Sequence, residues 1–543
     1  GQQPSIVDST DAAPAGRQVI VGAANAPDEA ATLRLASPEA FAFAPFDGID
    51  GSPSLAIVGG GRSGDVYGLY RLADDLLGGI DEAALYGETR SFAPALAQRL
   101  VDLGAVGIPQ DPTRWDPANY SHHLRAFEDV LLAGPPYVDE AQFAAVEQQF
   151  ADYVQRMTAY GNNGIVVPGF LEFIDFDRVG DGQQIYPIDS EYRARSAAMR
   201  QHFGRLFDYA DAMGMEVILY TDMLALTPPL QSYLEQRFGG LDTENPELWE
   251  VYRLGLEELF DSLSAVDGVM IRIGEAGSIY NLPGWDYSSA LAVRSVDATQ
   301  AMLAAFLQAA EPRDKSIIFR TWSVGVGQVG DMHTNPESYA RLLDAVDSPN
   351  LTVSTKYVQG DFYSFLPFNP TLESGQHQRL VEMQNRLEFE GFKAFPDFVA
   401  PLHQAGLREL RAANPQIDGV WAWNQNGGPQ QAGPMSLYPF YGFWQAIDAN
   451  SYVTARAAWE PDADPAELAR SWVRRTFGSD PAVVEPLTEL LFLSRPAALL
   501  GLYISPFAEQ QVRGLGLELT PQMWIFEWDI IDGSSAVLSS IYL

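Results

Sequence analysis

At 543 residues, with 47% hydrophobic and 12% aromatic content, the chain is long enough for two or three packed domains. It carries 34 basic against 71 acidic residues, a net charge of −37 with no basic cluster, which excludes a nucleic-acid backbone as partner. Cysteine is absent, which excludes disulfides, thiolate metal sites and cysteine nucleophiles together.

Residues 1–16 (GQQPSIVDSTDAAPAG) read as a polar, flexible tether of the kind left when a signal is removed. Export to the periplasm or beyond is therefore favoured over a cytoplasmic location. No apolar run approaches the roughly 18 residues of a membrane-spanning helix. Short buried strands are expected at 18–22 (QVIVG) and 54–59 (SLAIVG), with a polar, proline-rich connection between them. A helix is expected at 65–77, where Val66, Leu69, Tyr70, Ala73 and Leu76 recur at helical spacing. Together these predict a small α/β domain over 17–94. GGGRSG after the second strand lacks the GxGxxG spacing of a dinucleotide loop, so nucleotide binding is not supported.

From residue 95 to 447 strands and helices alternate. Strands are predicted at 98–103, 164–168, 216–221, 268–273, 316–321, 351–356, 384–388 and 419–423, with amphipathic helices at 191–213, 246–263 and 293–310. Eight such units over about 350 residues predict a central (β/α)8 TIM barrel of the α/β class, in preference to a doubly wound open sheet. Residues 448–543 lack strand alternation and predict a helical C-terminal domain, with helices at 466–477 and 483–494 and an end at SSIYL that leaves completeness open.

In a barrel of this kind the chemistry lies just past each strand, on the face built from βα-loops. The residues there are Glu172, Asp222, Glu275, Arg320 with Trp322, Lys356 with Asp361, Glu388, and Trp421, Trp423 and Asn424. This is a carboxylate-rich, aromatic mouth with a few cations. Sugars are held by stacking on aromatic faces and by polar groups that fix their hydroxyls. Hydrolysis of a glycosidic bond needs two carboxyls. Glu275, Asp361 and Glu388 are the candidate catalytic acids, with Glu390 as a competitor for the last. Each also has a plainer role: Glu275 as a cap, Asp361 as an Asx-turn, Glu388 as a partner of Arg386 or Lys393, and Arg320 as one half of a buried ion pair. Lys356 is one of three lysines in the chain, with Lys315 and Lys393, and it stands at a strand end. Trp421 and Trp423 are expected to face opposite sides, one toward the barrel interior. Apolar Val269–Ile271 ahead of Glu275 lead us to expect a carboxyl kept protonated near neutrality by desolvation. The histidines, among them His122, His123, His333 and His403, show no HExxH spacing, so no metal is expected, and no GxSxG elbow occurs.

These residues resemble a family. Lys356-Tyr-Val-Gln-Gly-Asp361-Phe is similar to the Lys…Asp-Phe segment of the α-glucuronidases of glycoside hydrolase family 67, and Glu388-Phe-Glu-Gly391 to their next acidic segment. Glu275 in GEAG resembles their Ser-Glu-Gly acid, and IIFRTW their strand ending in Arg-aromatic. Ala458-Trp459-Glu-Pro-Asp462, with Ser471-Trp472-Val473-Arg474 and Phe477, resembles a C-terminal motif. The resemblance implies an inverting exo-hydrolase that removes a terminal α-linked glucuronic acid, without a cofactor. It implies Glu275 as general acid, Asp361 and Glu388 as activators of water, and Arg320 and Lys356 as holders of the sugar carboxylate. The family's lysine ahead of the acid has no counterpart at its spacing; Arg272 is the nearest cation. Arg272, Trp322, Glu172, Trp423 and Asn424 complete the expected substrate-binding set. The expected partner is an oligosaccharide or polysaccharide such as a xylan fragment; the oligomeric state is open, a homodimer included. The alternatives are a same-fold glycosidase for another acidic, sulfated or neutral sugar, a non-catalytic carbohydrate-binding barrel, and a polysaccharide lyase using Tyr357 or Tyr363.

Overall fold

A computed structural model describes residues 16–48, 50–103, 127, 130–180, 185–280, 282–323, 326–359, 367–385, 396–424 and 444–502. Eight parallel strands close a barrel in chain order: Gln98–Asp102, Gly164–Pro168, Glu216–Asp222, Gly268–Gly274, Ser316–Ser323, Leu351–Lys356, Gln378–Gln384 and Ile417–Trp423. The eighth pairs with the first through Gly419 opposite Gln98 and Ala422 opposite Val101. The expected (β/α)8 barrel is the fold. Helices Glu140–Tyr160, Glu191–Ala212, Pro246–Ser262 and Val296–Ala310 start on side-chain caps from Asp139, Ser190, Asn245 and Ser295, which satisfy amides the first turn leaves open.

Strand seven differs from the expectation. It is Gln378–Gln384, not 384–388, and Glu388 lies outside the described residues. The segment QRLVEMQ hides its strand character because charged residues occupy buried positions on both faces. Arg379 points outward with Val381 and Met383, while Glu382 and Gln384 share the inward face of Leu380. Trp421 and Trp423 do not split between faces either. Residues two apart in a strand point the same way, and both rings belong to the lumen, 4.9 Å apart.

The lumen is layered. Leu100, Val166, Ile218, Met270, Ile318 and Leu380 fill its lower part. Higher in the lumen, toward the strands' C-terminal ends, the same faces carry Tyr220, Asp222, Arg272, Arg320, Lys356 and Glu382, all buried. An apolar floor under a charged upper layer is what presents chemistry to the βα-loops.

The N-terminal sheet has four strands rather than two. Val19–Val21, Pro53–Gly59, Phe41–Asp47 and Arg90–Phe92 lie in that spatial order, with helix Arg62–Leu77 packed on them. Pro45 made the third of these, Phe41–Asp47, read as a connection, but residues 41–44 are buried. The C-terminal helices are Trp444–Trp459, Pro465–Phe477 and Pro481–Leu502, and the first runs across the expected 447/448 boundary. Trp459 joins the three regions. Its indole donates to Gly161 O at 2.9 Å, packs on Phe41 and Tyr67, and lies under the Arg99 guanidinium. Gly161 has φ +105°, and a β-carbon there would stand 2.5 Å from the indole nitrogen, so only glycine fits.

At the opposite end from the charged layer, Glu216 opens strand three with one carboxylate oxygen buried and without a hydrogen bond. Burial, then Asp267 and Glu39, push it up to about 7. A carboxyl whose folded pKa is raised contributes stability below its unfolded value and loses it as pH rises through the folded one. The protein should therefore lose about 3 kcal/mol between pH 4.5 and 7 from this group. Urea denaturation at pH 5 and pH 8 should show a smaller difference for Glu216→Gln than for the wild type; equal differences would rule the group out.

Candidate active site

Strand four delivers Glu275 through Gly274. A β-carbon at Gly274 would stand 2.2 Å from Ser323 Cα and 2.5 Å from Trp322 O, so glycine lets strands four and five close together just below the acid. Past Glu275, Gly277 and Ser278 pair with Ser289 and Ser288, which pair in turn with Ala225 and Leu226 after strand three. This small antiparallel sheet ties the acid's loop to its neighbour and limits its movement.

The Glu275 carboxylate has two described partners. The Trp322 indole Nε1 donates to Oε1 at 2.8 Å, and Arg272 Nη2 pairs with Oε2 at 2.7 Å. Arg272 also grips Asp222 with two bonds, Nε to Oδ1 at 2.6 Å and Nη2 to Oδ2 at 2.8 Å. One guanidinium thus serves two carboxylates. Lys356 Nζ stands 3.1 Å from the centroid of the Trp322 ring, so Trp322 touches the acid with its edge and the lysine with its face. Behind it, His333 meets the ring edge-on, 5.2 Å away, and its Nδ1 lies 3.0 Å from Thr321 Oγ1.

Glu275 is not held protonated. Burial does push its carboxyl up, but Arg272, the indole N–H, Arg320 and Lys356 outweigh burial and hold it below the ordinary carboxylate range. The apolar neighbours in strand four suggested desolvation; Arg272 on the same strand counters it from three residues back, and Arg320 and Lys356 join it from strands five and six, where they have no local signature. Asp222 is pushed up by burial against the pull of Arg272.

Arg320 takes the role of a buried ion-pair partner. Nε and Nη2 donate to Glu382 Oε1 and Oε2 at 2.8 and 3.0 Å, and Nη1 donates to the Tyr220 hydroxyl at 3.0 Å. Its guanidinium lies 4.3 Å from the Trp423 ring centroid. Ser354 Oγ also donates to Glu382, at 2.9 Å. Glu382 and Tyr220 were absent from the expected site. Glu382 becomes visible once Leu380 is known to face the lumen, because position 382 must then face it too.

The remaining expected residues are placed as follows. Glu172 is buried, with its oxygens accepting from the Tyr280 hydroxyl at 2.6 Å and from the Phe170 amide at 2.8 Å; it braces the loop after strand two. Asn424 accepts from Asn385 Nδ2 and Ser451 Oγ, and donates to Tyr153. It thereby anchors Asn385, the residue from which the segment bearing Glu388 departs. Trp423 forms part of the lumen wall. Asp361 and Glu388 lie outside the described residues. The flanks of the segment holding Asp361 meet above strand six, where Val358 bridges Phe368 and the Asn369 amide donates to Tyr357 O. Among the described residues no group of three or more His, Asp and Glu side chains is spaced to hold a metal. No described helix is long and apolar enough to cross a membrane. Among the described residues the arrangement sets the Glu275 carboxylate inside a cation-rich aromatic wall.

Residues 445–521 match the family described as Glycosyl hydrolase family 67 C-terminus. Alpha-glucuronidase A of Emericella nidulans is 25% identical over 281 residues, covering 48% of this chain and 32% of that protein. "Probable alpha-glucuronidase A" of Aspergillus terreus is 24% identical over 451 residues, covering 78% of this chain and 47% of that protein. The chain thus spans less than half the length of these curated relatives. Among solved structures, a GH138 enzyme targeting pectin rhamnogalacturonan II matches 88% of this chain with a TM-score of 0.56 and 12% identity. A family 89 enzyme of Clostridium perfringens matches 88% with a TM-score of 0.52 and 11% identity. At such identities the two structures speak for the barrel fold alone.

Proposed function

We propose, for a chain that is similar to the α-glucuronidases of glycosyl hydrolase family 67, that it is an exo-acting glycoside hydrolase. It removes a terminal α-linked uronic acid of the glucuronic type from oligosaccharides, with inversion at the anomeric carbon. The observation that carries this reading is the Trp322 bridge: one indole joins the carboxyl of Glu275 to the ammonium of Lys356. An acid for the leaving oxygen and a cation for a sugar carboxylate thereby stand on one rigid wall.

In this reading Glu275 protonates the leaving oxygen, and Asp361 and Glu388, after strands six and seven, activate and orient the water. An inverting pair stands about 6.5–9.5 Å apart, against about 5–5.5 Å in a retaining one. Acids from the fourth strand and from the sixth and seventh approach the sugar from different sides, which suits inversion. Lys356 is the principal anion holder, with Arg320 contributing through the N–H groups that Glu382 and Tyr220 leave over.

The commitment of the Arg320 fork to Glu382 favours a second reading, the same chemistry on a neutral sugar. Lys356→Ala decides between them. A charged hydrogen bond to the sugar carboxylate contributes about 1.5–3 kcal/mol, so the variant should lose roughly 10- to 100-fold in kcat/KM on a uronide and little on the matching neutral glycoside. Parallel losses on both would hand the site to the neutral sugar. Purified protein incubated with uronate-bearing xylan oligosaccharides, followed by mass spectrometry, tests the activity. Proton NMR of the first product should show the β-anomer; an α-product from an α-glycoside would overturn inversion.

A further inference from the structure

We infer that His333, with its proton on Nδ1, is a positioning residue for the acid: it fixes the indole of Trp322 and through that indole sets the aim of Glu275. The inference rests on the hydrolase reading above and adds to it a residue that never meets the sugar.

The placement of the hydrogens follows from donors that have no choice. The Thr371 backbone amide donates to Asn369 Oδ1 at 3.1 Å, which fixes the way round of that side-chain amide. Asn369 Nδ2 can only donate, so His333 Nε2, 3.3 Å away, accepts. An imidazole with Nε2 bare carries its proton on Nδ1, which then donates to Thr321 Oγ1 at 3.0 Å. The far end agrees. Arg379 Nη2 can only donate, and it does so to Thr355 Oγ1 at 3.2 Å. The Thr355 hydrogen is left for Thr321 Oγ1 at 3.0 Å, and the Thr321 hydrogen goes to Ser354 O at 3.3 Å. Every bond in the chain has a donor and an acceptor. A second proton, on Nε2, would face the Asn369 N–H group, and burial, Lys356 and Arg320 all press against a charged ring.

Bonds at both ends of a buried ring hold it against rotation. It stands nearly perpendicular to Trp322, at 83° and 5.2 Å between centroids. That contact gives the lock a use, because the indole has to satisfy two partners at once. Its Nε1 donates to Glu275 Oε1 at 2.8 Å while its face meets Lys356 Nζ. A small turn of the ring would spoil the first bond. The anchors also belong to the right elements. Thr321 precedes Trp322 on strand five and Thr355 precedes Lys356 on strand six. Asn369 closes the return of the segment that bears Asp361, its amide donating to Tyr357 O at 2.9 Å. His333 thereby holds the acid's wall and the base of that segment to one frame.

The test compares the wild type, His333→Ala, Trp322→Phe and the double variant on two uronides, one with a sugar leaving group and one with an activated aryl group. Losing the indole bond removes a donor that favours the Glu275 carboxylate, so its pKa rises. A general acid works below its pKa. The basic limb of kcat/KM should therefore move up by about one pH unit in either single variant, with no further move in the double variant. Asp361 and Glu388 are common to all four proteins, so the limb is read as a difference between them. On the sugar leaving group His333→Ala should lose roughly 10- to 100-fold in kcat/KM, and far less on the aryl uronide, where protonation is not needed. If His333→Ala does not fold, His333→Phe, which fills the space and lacks the Nδ1 donor, takes its place. Nitrogen NMR of the full chain labelled at histidine should show His333 neutral and protonated on Nδ1; Asn369→Asp, which offers Nε2 an acceptor, should move a proton there. An unmoved limb with equal losses on both uronides, or a bare Nδ1 in the wild type, would overturn the inference and leave the hydrolase reading standing. Turnover of neutral glycosides alone would remove the uronidase reading, and the same comparison on those substrates would still decide for His333. No turnover of either class would overturn both.

Discussion

Glu275→Gln is expected to lower turnover on a uronide with a poor leaving group by about 10²–10⁴-fold, the usual contribution of a general acid. The amide keeps the size of the side chain and a carbonyl oxygen for the Trp322 indole, so the wall that holds it should survive. It has no proton to give to a departing sugar hydroxyl. On an activated aryl glycoside, whose leaving group departs without protonation, the loss should be far smaller. Comparing kcat/KM on the two substrates checks this, and equal losses would remove Glu275 from the acid role. Because Arg272 and its neighbours hold the free carboxyl below the ordinary carboxylate range, the basic limb of kcat/KM for the wild type should lie on the acid side of neutrality.

Arg320→Ala should cost about 3–5 kcal/mol of stability, the range for breaking a buried ion pair from one side. The variant leaves Glu382 in the lumen with Ser354 as its remaining described donor, and it opens a gap beneath Trp423. Replacing both partners, Arg320→Met with Glu382→Leu, should recover most of that loss, since no charge is then left unpaired. Urea denaturation of the three proteins measures it. A single variant within about 1 kcal/mol of the wild type, or a double variant no better than the single, would mean that water reaches Glu382 and that the layer is not closed. Should Arg320 hold substrate as well, the double variant would fold and still lose the uronide.

Much of the site's chemistry is legible in the residues themselves. Glu275, Arg320, Trp322 and Lys356 each follow or end a β-branched or apolar run, which is how a barrel marks its functional face. The departures share one cause. Glu382 and Arg379 are charged residues in the middle of a strand, and hydropathy displaces that strand toward 384–388 because their neutralising partners lie on other strands. Phe41–Asp47 went unseen because proline at position 45 reads as a break, although the segment's first four residues are buried.

The sequence alone determined the barrel, since alternation of apolar strands with amphipathic helices leaves few other ways to bury both. It determined the carboxylate and aromatic character of the mouth, because those residues stand where strands end. Only the tertiary structure decided which charge answers which. The division of Arg272 between Asp222 and Glu275, the closure of Arg320 on Glu382, and the ionised state of Glu275 come from residues 3 to 100 positions apart. A carboxyl's proton affinity is set by the field of every charge within a few ångströms, and a barrel brings those charges together by closing, an act that local sequence does not record.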